Sequence, residues 1–393
     1  MKLLKRIISI TAVFMICTAN TVFAQEIKAP DVRALGAVLM DEKSGRVLWE
    51  KNSKEPLPNA STTKIMTCIL ALESGKLDET VTVSKNAAVQ PETKMGLAEE
   101  EQIKLGDLLY PLMLQSSNDA ATAIAEHIGG SVDEFCDMMD KKAKELGAED
   151  TDFETPNGLD KGDHHSTAYD LALITAYALK NDEFREIIST PEKTVKSSKR
   201  TYTAVNKDRL LREYDGALGV KTGFTGLAGH CFVGAAERDG MTLISVVLGS
   251  GWGSFGKERK WTDTKNILNY GFENYEYYTV CKEGDYIGDV SINGAYRDSV
   301  SVVTAESIDV PLNDSERESL SVEINIPDEA DAPVIGGEKA GEMIFKDGDG
   351  KEIAVCDVVF EYDIDKKDLK TTAQMLIKYW INPQKSYILK YNA

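Results

Sequence analysis

The chain has 393 residues, of which 42% are hydrophobic and 28% are charged, which is enough to bury a full-sized core and to form two domains. Its formal net charge of −19 argues against a nucleic-acid partner, because binding to phosphates needs clustered Lys and Arg. The six cysteines and four histidines do not follow the spacings of a metal site, and we predict neither a metal nor a cofactor.

Residues 1–24 have the pattern of a signal peptide. Three basic residues precede the apolar run Ile7–Cys17, and the small-residue site Val22-Phe23-Ala24 follows it. A membrane anchor is the alternative, but this run is shorter than the roughly 20 residues that a bilayer requires. We therefore predict cleavage before Gln25 and export. The five cysteines that remain are an odd, scattered set, which favours buried free thiols over disulfides.

Residues 25–275 mix helical and strand patterns and are predicted to form one α/β (α+β) domain, with helices around an antiparallel sheet built from both ends of the segment. The segment Thr62–Leu72 is apolar on nearly all sides, which predicts a helix inside the core. The other predicted elements are a hairpin of Ala34–Met40 and Val47–Lys51, helices over Leu105–Leu114, Asp119–His127 and Thr167–Leu179, a helix opened by a Ser131/Glu134 capping box, and strands Val220–Thr222, Cys231–Glu237 and Met241–Leu248.

The composition changes near Tyr275-Glu276-Tyr277-Tyr278, and residues 276–362 are predicted to form a small all-β domain. Apolar residues there alternate with polar ones, as strands with one buried face require. The alternating positions are Val322, Ile324 and Ile326, Met343 and Phe345, and Ile353 and Val355. The remaining residues, 363–393, form a basic tail in an otherwise acidic chain.

Ser61-Thr62-Thr63-Lys64 places a hydroxyl and an amine three residues apart at the start of the buried helix, on one face and within reach of each other. A serine is a weak nucleophile until a neighbouring base takes its proton, and a lysine kept neutral by burial or by a second cation can do so. The motif alone is weak evidence, because about one Ser-x-x-Lys is expected by chance in such a chain.

Two further motifs strengthen this interpretation. Ser116-Ser117-Asn118 lies at a helix junction, and Lys221-Thr222-Gly223 lies on a predicted strand. The three motifs together are the set found in β-lactamases and penicillin-binding proteins. With Asn157-Gly158-Leu159-Asp160, the sequence resembles the low-molecular-mass penicillin-binding proteins of the D-alanyl-D-alanine carboxypeptidase family from about Ala34 to the end. The resemblance implies a transpeptidase/β-lactamase-like domain followed by a β-rich domain.

The same resemblance implies the catalytic roles. Ser61 would form the acyl-enzyme and Lys64 would be its base. Ser116 would relay a proton between this base and the leaving amine, and Asn118 would hold Lys64 and a substrate amide in position.

It also implies how the substrate binds. Lys221 and Thr222 would bind the terminal carboxylate of a peptidoglycan stem peptide, and the charge of Lys221 would lower the pKa of Lys64. Gly223 would keep the strand edge bare for the peptide backbone. The backbone amides of Ser61 and Phe224 would form the oxyanion hole. β-Lactam antibiotics would acylate the same serine.

The chain departs from the family at Phe224, where some members have a histidine directly after Lys-Thr-Gly. Two alternatives to a carboxypeptidase stay open. A β-lactamase needs a glutamate that activates water, and the nearest candidate is Glu154. A non-catalytic β-lactam sensor or wall-binding protein would keep the fold without turnover. We expect structural roles for Asp170 and the pair His164-His165.

The segment Lys366–Ile381 is predicted to be an amphipathic helix on the outer face of the cytoplasmic membrane. Leu369, Ala373, Leu376, Ile377 and Trp380 recur at the spacing of one helix face, opposite Lys370, Gln374 and Lys378. An apolar face with a tryptophan and a basic face suits anionic headgroups. The alternative is a helix packed on the protein's own body. The resemblance also implies such an anchor.

Overall fold

The computed structural model describes residues 28–91 and 93–381. The predicted signal peptide and its cleavage site lie outside the described residues, and cleavage before Gln25 stays a prediction. The N-terminal half contains the elements β1 (Gly36–Asp41), β2 (Val47–Lys51), α1 (Lys64–Glu73), β3 (Thr80–Thr82), α2 (Lys85–Ala88), β4 (Gln102–Lys104), α3 (Leu105–Tyr110), α4 (Asn118–Gly129), α5 (Val132–Glu145), α6 (Ala168–Leu179), α7 (Asp182–Ser189), β5 (Glu192–Lys196), β6 (Thr201–Val205), α8 (Leu210–Glu213), β7 (Ala217–Thr225), β8 (Gly229–Arg238), β9 (Met241–Leu248) and α9 (Gly253–Asn274).

A five-stranded antiparallel sheet organises this half, in the order β2-β1-β9-β8-β7. All eight residues of β9 are buried, because both faces of the sheet are covered. Cys231 and Val233 of β8 pack into the core that contains α1, α4 and α6, whereas Phe232 between them packs with Trp261 of α9. This alternation follows from the two-residue period of a strand. At the two ends of the strand order, β2 and β7 are the edge strands of the sheet.

Helix α1 lies in the core, as predicted: its first eight residues are buried. A 3-10 turn, Ala60–Thr63, leads into it. The predicted helix Leu105–Leu114 is α3 followed by a π-helical segment, Pro111–Gln115. Pro111 has no backbone N–H to continue the regular helical ladder, which accounts for the change at this point. The predicted N-cap of α5 is confirmed in part, because Ser131 accepts from the Glu134 amide while the Glu134 carboxylate contacts the Ser131 hydroxyl.

No helix was predicted between the strand Met241–Leu248 and residue 276, but the 22-residue helix α9 follows β9 and covers one face of the sheet. Its sequence is rich in charged residues, and its buried positions, which include Trp261, Ile267 and Leu268, give only a weak helical period. The small two-stranded sheets β3–β4 and β5–β6 were also not predicted.

The C-terminal half is β-rich, as predicted. Its elements are β10 (Glu276–Cys281), β11 (Tyr286–Asn293), β12 (Ser299–Thr304), β13 (Ile308–Leu312), α10 (Asp314–Ser319), β14 (Ser321–Asn325), β15 (Glu329–Asp331), β16 (Lys339–Lys346), β17 (Glu352–Phe360) and α11 (Leu369–Ile381). Six strands form one sheet in the order β14-β16-β17-β12-β11-β15, and β10 pairs with β13. The predicted division between residues 275 and 276 falls between α9 and β10 and stays a prediction.

The predicted alternation is correct for β16, where Met343 and Phe345 are buried. It is wrong for β14, all of whose residues are exposed, because β14 is an edge strand. It also fails for Val355, which is exposed while Cys356 is buried. A register shift between Phe345 and Lys346 accounts for this change of face, since one extra residue in a strand reverses the side-chain direction.

Helix α11 has 13 residues, and none of the helices in the described ranges is long and apolar enough to span a membrane. Its start is joined to the β-rich half, since the Lys367 amide donates to the Gly294 carbonyl at 2.7 Å. Leu369 and Trp380 are 91% and 85% exposed, and Leu376 and Ile377 are also exposed. The apolar face is therefore not packed on the described part of the protein.

Candidate active site

The candidate nucleophile, Ser61, lies in the 3-10 turn that precedes α1. Hydrogen bonds within the turn fix its shape: the Thr62 hydroxyl donates to the Asn59 carbonyl at 2.6 Å, and the Thr63 hydroxyl donates to the Ala60 carbonyl at 2.8 Å. Ala60 has a φ of +49°, an unusual conformation for a residue with a side chain. Such strain is typical of positions where the backbone is held for function.

The amine of Lys64 has three polar neighbours. Its Nζ lies 2.9 Å from Ser61 Oγ, 2.8 Å from Asn118 Oδ1 and 2.5 Å from the Asn157 carbonyl oxygen. The two carbonyl-type oxygens can only accept hydrogen bonds. A neutral amine has two hydrogens and one lone pair, so donation to Asn118 and Asn157 leaves the lone pair directed at Ser61 Oγ. The geometry is that of a base beside a nucleophile.

The electrostatics favour the neutral amine. Lys64 is fully buried, and burial holds its pKa well below its ordinary value, with a further lowering by the positive charge of Lys221 and an opposing effect of Asp119. The predicted influence of Lys221 on the pKa of Lys64 is thus present, but burial is the larger cause.

Ser116 and Asn118 lie where the π-helical segment passes into α4. Ser116 has a left-handed backbone, φ 67°, and Asn118 begins α4. Asn118 is fixed from two sides, because its Nδ2 donates to the Pro91 carbonyl at 3.1 Å and its amide donates to the Thr93 carbonyl at 2.7 Å. Within the described residues the Ser116 hydroxyl has no hydrogen-bond partner, so its predicted relay role stays a prediction.

Strand β7 brings the third motif to the nucleophile. A side chain at Gly223 would place its Cβ 3.2 Å from the Ser61 amide nitrogen and 3.1 Å from the Asn59 carbonyl oxygen. Gly223 is therefore needed because β7 approaches the Ser61 turn closely. The reason expected from the sequence was a different one, a bare strand edge for the peptide backbone. Lys221 is buried, Thr222 is half-buried, and Phe224 is 51% exposed.

Lys221 donates to the Thr222 carbonyl at 2.8 Å. Burial, with the nearby charges of Lys260 and Lys207, lowers the pKa of Lys221 to about 7. Lys260 of α9 is itself buried, which lowers its pKa to about 8, and the buried Asp208 has a pKa raised to about 7. Sequence reasoning missed Lys260 and Asp208, because no motif links them to Lys221.

Sequence reasoning also assigned no role to Asn157 and Gly158. The Asn157 carbonyl oxygen accepts from Lys64 Nζ and from Ser61 Oγ, the latter at 3.3 Å. Gly158 has a φ of +78°, and a Cβ there would lie 1.9 Å from the Ala60 carbonyl oxygen. The signal available in the sequence was the Asn157-Gly158-Leu159-Asp160 stretch, which carried the family resemblance without indicating this contact.

His164 has the structural role that was expected. Its Nδ1 accepts from the Glu154 amide at 3.0 Å, so the proton is on Nε2, which lies 2.8 Å from the Thr63 hydroxyl behind Ser61. Burial lowers the pKa of His164 to about 4. Asp170 accepts from the Asp150 amide and the Thr151 hydroxyl and is likewise structural.

The lowered pKa of His164 makes the stability of the fold depend on pH. The unfolded state binds a proton below pH about 6.5 and the folded state only below about 4, so stability is full above pH 6.5 and is lost as the pH falls towards 4. We expect His164 to lower the free energy of unfolding by about 2 kcal/mol between pH 7 and pH 5. Urea titrations of the wild type and of His164→Gln measure it. Equal pH dependence in both proteins would contradict this expectation.

Comparison with known proteins identifies the chain. Residues 23–251 match the family described as D-alanyl-D-alanine carboxypeptidase, and residues 275–366 match the penicillin-binding protein 5 C-terminal domain. The chain belongs to the D-alanyl-D-alanine carboxypeptidase family. It is 34% identical to D-alanyl-D-alanine carboxypeptidase DacF of Bacillus subtilis over 88% of this chain and 90% of that protein. It is 36% identical to DacC of Escherichia coli over 68% of this chain and 69% of that protein.

The fold of this carboxypeptidase family member agrees with solved structures. Penicillin-binding protein 5 from Haemophilus influenzae superposes with a TM-score of 0.75 at 29% identity, covering 86% of this chain and 99% of that one. The predicted family, the mixed helix and sheet domain, the β-rich domain and the serine-type enzyme class are all confirmed.

Proposed function

We propose that Ser61 and Lys64 are the catalytic pair of this D-alanyl-D-alanine carboxypeptidase, which removes the terminal D-alanine from peptidoglycan stem peptides. The observation that carries the proposal is the environment of Lys64 Nζ, a buried amine between two acceptors with Ser61 Oγ at 2.9 Å. The family acts on peptidoglycan peptides and binds β-lactams covalently.

The reaction proceeds in two halves. Lys64 takes the Ser61 proton as Ser61 Oγ attacks the carbonyl of the penultimate D-alanine. The tetrahedral intermediate collapses, and the leaving amine receives that proton from Lys64 through the Ser116 hydroxyl. Water then hydrolyses the acyl-enzyme with Lys64 as base, which restores Ser61.

Strand β7 forms the substrate-binding side of the proposed site. The Thr222 carbonyl accepts from Lys221 Nζ and β7 is an edge strand, so we infer that this carbonyl faces the open edge of the sheet. Backbone groups two residues apart in a strand point the same way, so the Phe224 amide faces this edge too. Together with the Ser61 amide it provides two donors to an oxyanion, and each donor is worth about 3 kcal/mol of transition-state stabilisation. Lys221 and Thr222 bind the terminal carboxylate.

The β-lactamase alternative is not favoured by the position of Glu154. Its carboxylate lies against Gly162 and 3.9 Å from Lys161 Nζ, and the hydrogen bonds of Ser61 Oγ go to Lys64 and Asn157. A single experiment separates the three candidates. The purified enzyme is incubated with labelled penicillin and, separately, with a peptide ending in D-Ala-D-Ala. A carboxypeptidase retains the penicillin label for a long time and releases D-alanine from the peptide. A β-lactamase loses the label rapidly. A sensor releases no D-alanine.

We further propose that the enzyme is exported and held at the outer face of the cytoplasmic membrane by α11. The support is the exposed apolar face of α11 next to Lys366, Lys367 and Lys370, in a chain that is otherwise strongly acidic. Apolar burial and attraction to anionic headgroups act together in such helices.

Deletion of the chain after Asp365 is expected to release an active enzyme into the soluble fraction. The full chain should sediment with anionic vesicles, because α11 contributes the apolar face and Lys366, Lys367 and Lys370 contribute positive charge. A full-length control, Leu376→Ser with Trp380→Ser, removes the apolar face without shortening the chain and should be released as well. Unchanged sedimentation of both variants would contradict membrane attachment through α11.

A further inference from the structure

Four large apolar side chains are exposed beside the candidate active site. Phe224 and Leu227 belong to the end of β7 and the turn after it, and Trp252 and Phe255 belong to the start of α9. They are exposed by 51%, 64%, 50% and 67%. Single exposed apolar residues are ordinary, but a contiguous group marks a binding surface. We call these four residues the apolar rim.

The two segments of the apolar rim touch each other. The Trp252 indole N–H donates to the Gly226 carbonyl at 2.9 Å, and a Cβ on Gly229 would lie 3.1 Å from the Trp252 ring. The ring of Phe224 lies 4.4 Å from that of His230, whose Nε2 donates to the Gly253 carbonyl at 3.1 Å. The two segments that carry the rim are thus in direct contact.

The turn after β7, which carries the rim residue Leu227, is also held by hydrogen bonds of the Thr225 hydroxyl. The Thr225 hydroxyl donates to Asp160 at 2.9 Å and accepts from the Ala228 amide at 3.0 Å. Asp160 belongs to the same loop as Asn157, which contacts Lys64. A surface that is fixed before binding loses little conformational entropy when a ligand arrives, so even a small apolar contact contributes to affinity.

The direction of β7 indicates what reaches the rim. Along the strand, Lys221 comes first, Gly223 lies against the Ser61 amide, and Phe224 follows. A peptide with its carboxylate at Lys221 and its scissile carbonyl at Ser61 therefore continues past Phe224. At about 3.3 Å per residue, we infer that the residue before D-Ala-D-Ala lies just beyond Phe224, at the end of β7 where Leu227 follows and Trp252 contacts Gly226.

We propose that the apolar rim binds the aliphatic side chain of the residue that precedes D-Ala-D-Ala in the substrate, an inference that rests on the proposed function. The rim offers apolar and aromatic surface for the methylene groups of a long side chain.

Two tripeptides test the proposal: Nα-acetyl-Gly-D-Ala-D-Ala and Nα,Nε-diacetyl-Lys-D-Ala-D-Ala. The readout is the ratio of their kcat/KM values for release of D-alanine. In the wild type the lysine peptide should be preferred about tenfold or more. Trp252→Ala with Phe255→Ala should bring the ratio close to one, and Leu227→Ser should reduce it. Trp252→Phe keeps an aromatic face and should keep most of the preference.

A matched control is Tyr286→Ala, which removes an aromatic side chain that is 63% exposed in the β-rich half and should leave the ratio unchanged. A ratio near one in the wild type would overturn the inference. An equal fall in kcat/KM for both peptides in the rim variants would also overturn it, because a merely structural role of Trp252 predicts that result. Absence of D-alanine release from either peptide by the wild type would instead overturn the proposed function.

Discussion

Ser61→Ala is expected to abolish covalent labelling by penicillin and to lower kcat/KM for release of D-alanine by at least about 10⁴-fold. The acyl-enzyme requires an oxygen at this position, and Ser61 Oγ is the hydroxyl found beside Lys64 Nζ. Labelling followed by gel electrophoresis and an assay of free D-alanine measure the two losses. The fold should remain, because the turn that carries Ser61 is held by the hydrogen bonds of the Thr62 and Thr63 hydroxyls and not by the Ser61 hydroxyl.

Ser74→Ala provides the matched control at the other end of α1. The Ser74 hydroxyl donates to the Ala71 carbonyl at 2.7 Å, away from Lys64, so this variant should be labelled and active. Retained labelling of Ser61→Ala, with a thermal melting curve like that of the wild type, would mean that another residue is the nucleophile.

Gly158→Ala should cost at least about 100-fold in the rate of acylation, since a displacement of about 1 Å at catalytic groups has an effect of this size. The new Cβ would lie 1.9 Å from the Ala60 carbonyl oxygen and 2.8 Å from the Thr63 hydroxyl, so the Ser61 turn or the loop of Asn157 must move. Either movement disturbs the contact between Lys64 Nζ and its partners. The second-order rate of penicillin acylation measures the effect.

Gly240→Ala separates this displacement from backbone strain. Gly240 has a φ of +79°, close to the +78° of Gly158, but a Cβ there meets nothing within 4 Å. Both variants should lose about 1 kcal/mol of stability from the left-handed conformation. Only Gly158→Ala should lose acylation. An acylation rate for Gly158→Ala equal to that of Gly240→Ala would show that the loop and the Ser61 turn do not depend on each other.

The sequence was sufficient to predict the pairing of Ser61 with Lys64, because a three-residue spacing on a helix determines which side chains are neighbours. The apolar residues around Lys64 also predicted that its helix lies in the core, and in the structure Lys64 itself is fully buried there. The approach of Asn118 and Lys221 depended on the family resemblance, since they come from elements far apart in the chain.

The sequence could not predict contacts made by backbone atoms. The Asn157 carbonyl oxygen is a main partner of Lys64, and any residue type would supply a carbonyl there. The need for glycine at position 223 arises from the distance between β7 and the Ser61 turn, which only the packed fold determines. Lys260 approaches Lys221 because α9 covers the sheet, and the sequence pattern did not predict α9.

The open edge of β7 has a consequence for the behaviour of the enzyme in concentrated solution. A strand edge open enough to take a peptide, as we propose for β7, also offers its unpaired backbone to a strand of another molecule, the first step of edge-to-edge aggregation. Two features of β7 oppose this pairing. A register shift between Ala217 and Gly219 interrupts the regular edge, and the Ser61 turn approaches the strand closely at Gly223. The close approach of the Ser61 turn to β7 thus also limits the length of strand edge that another protein could pair with.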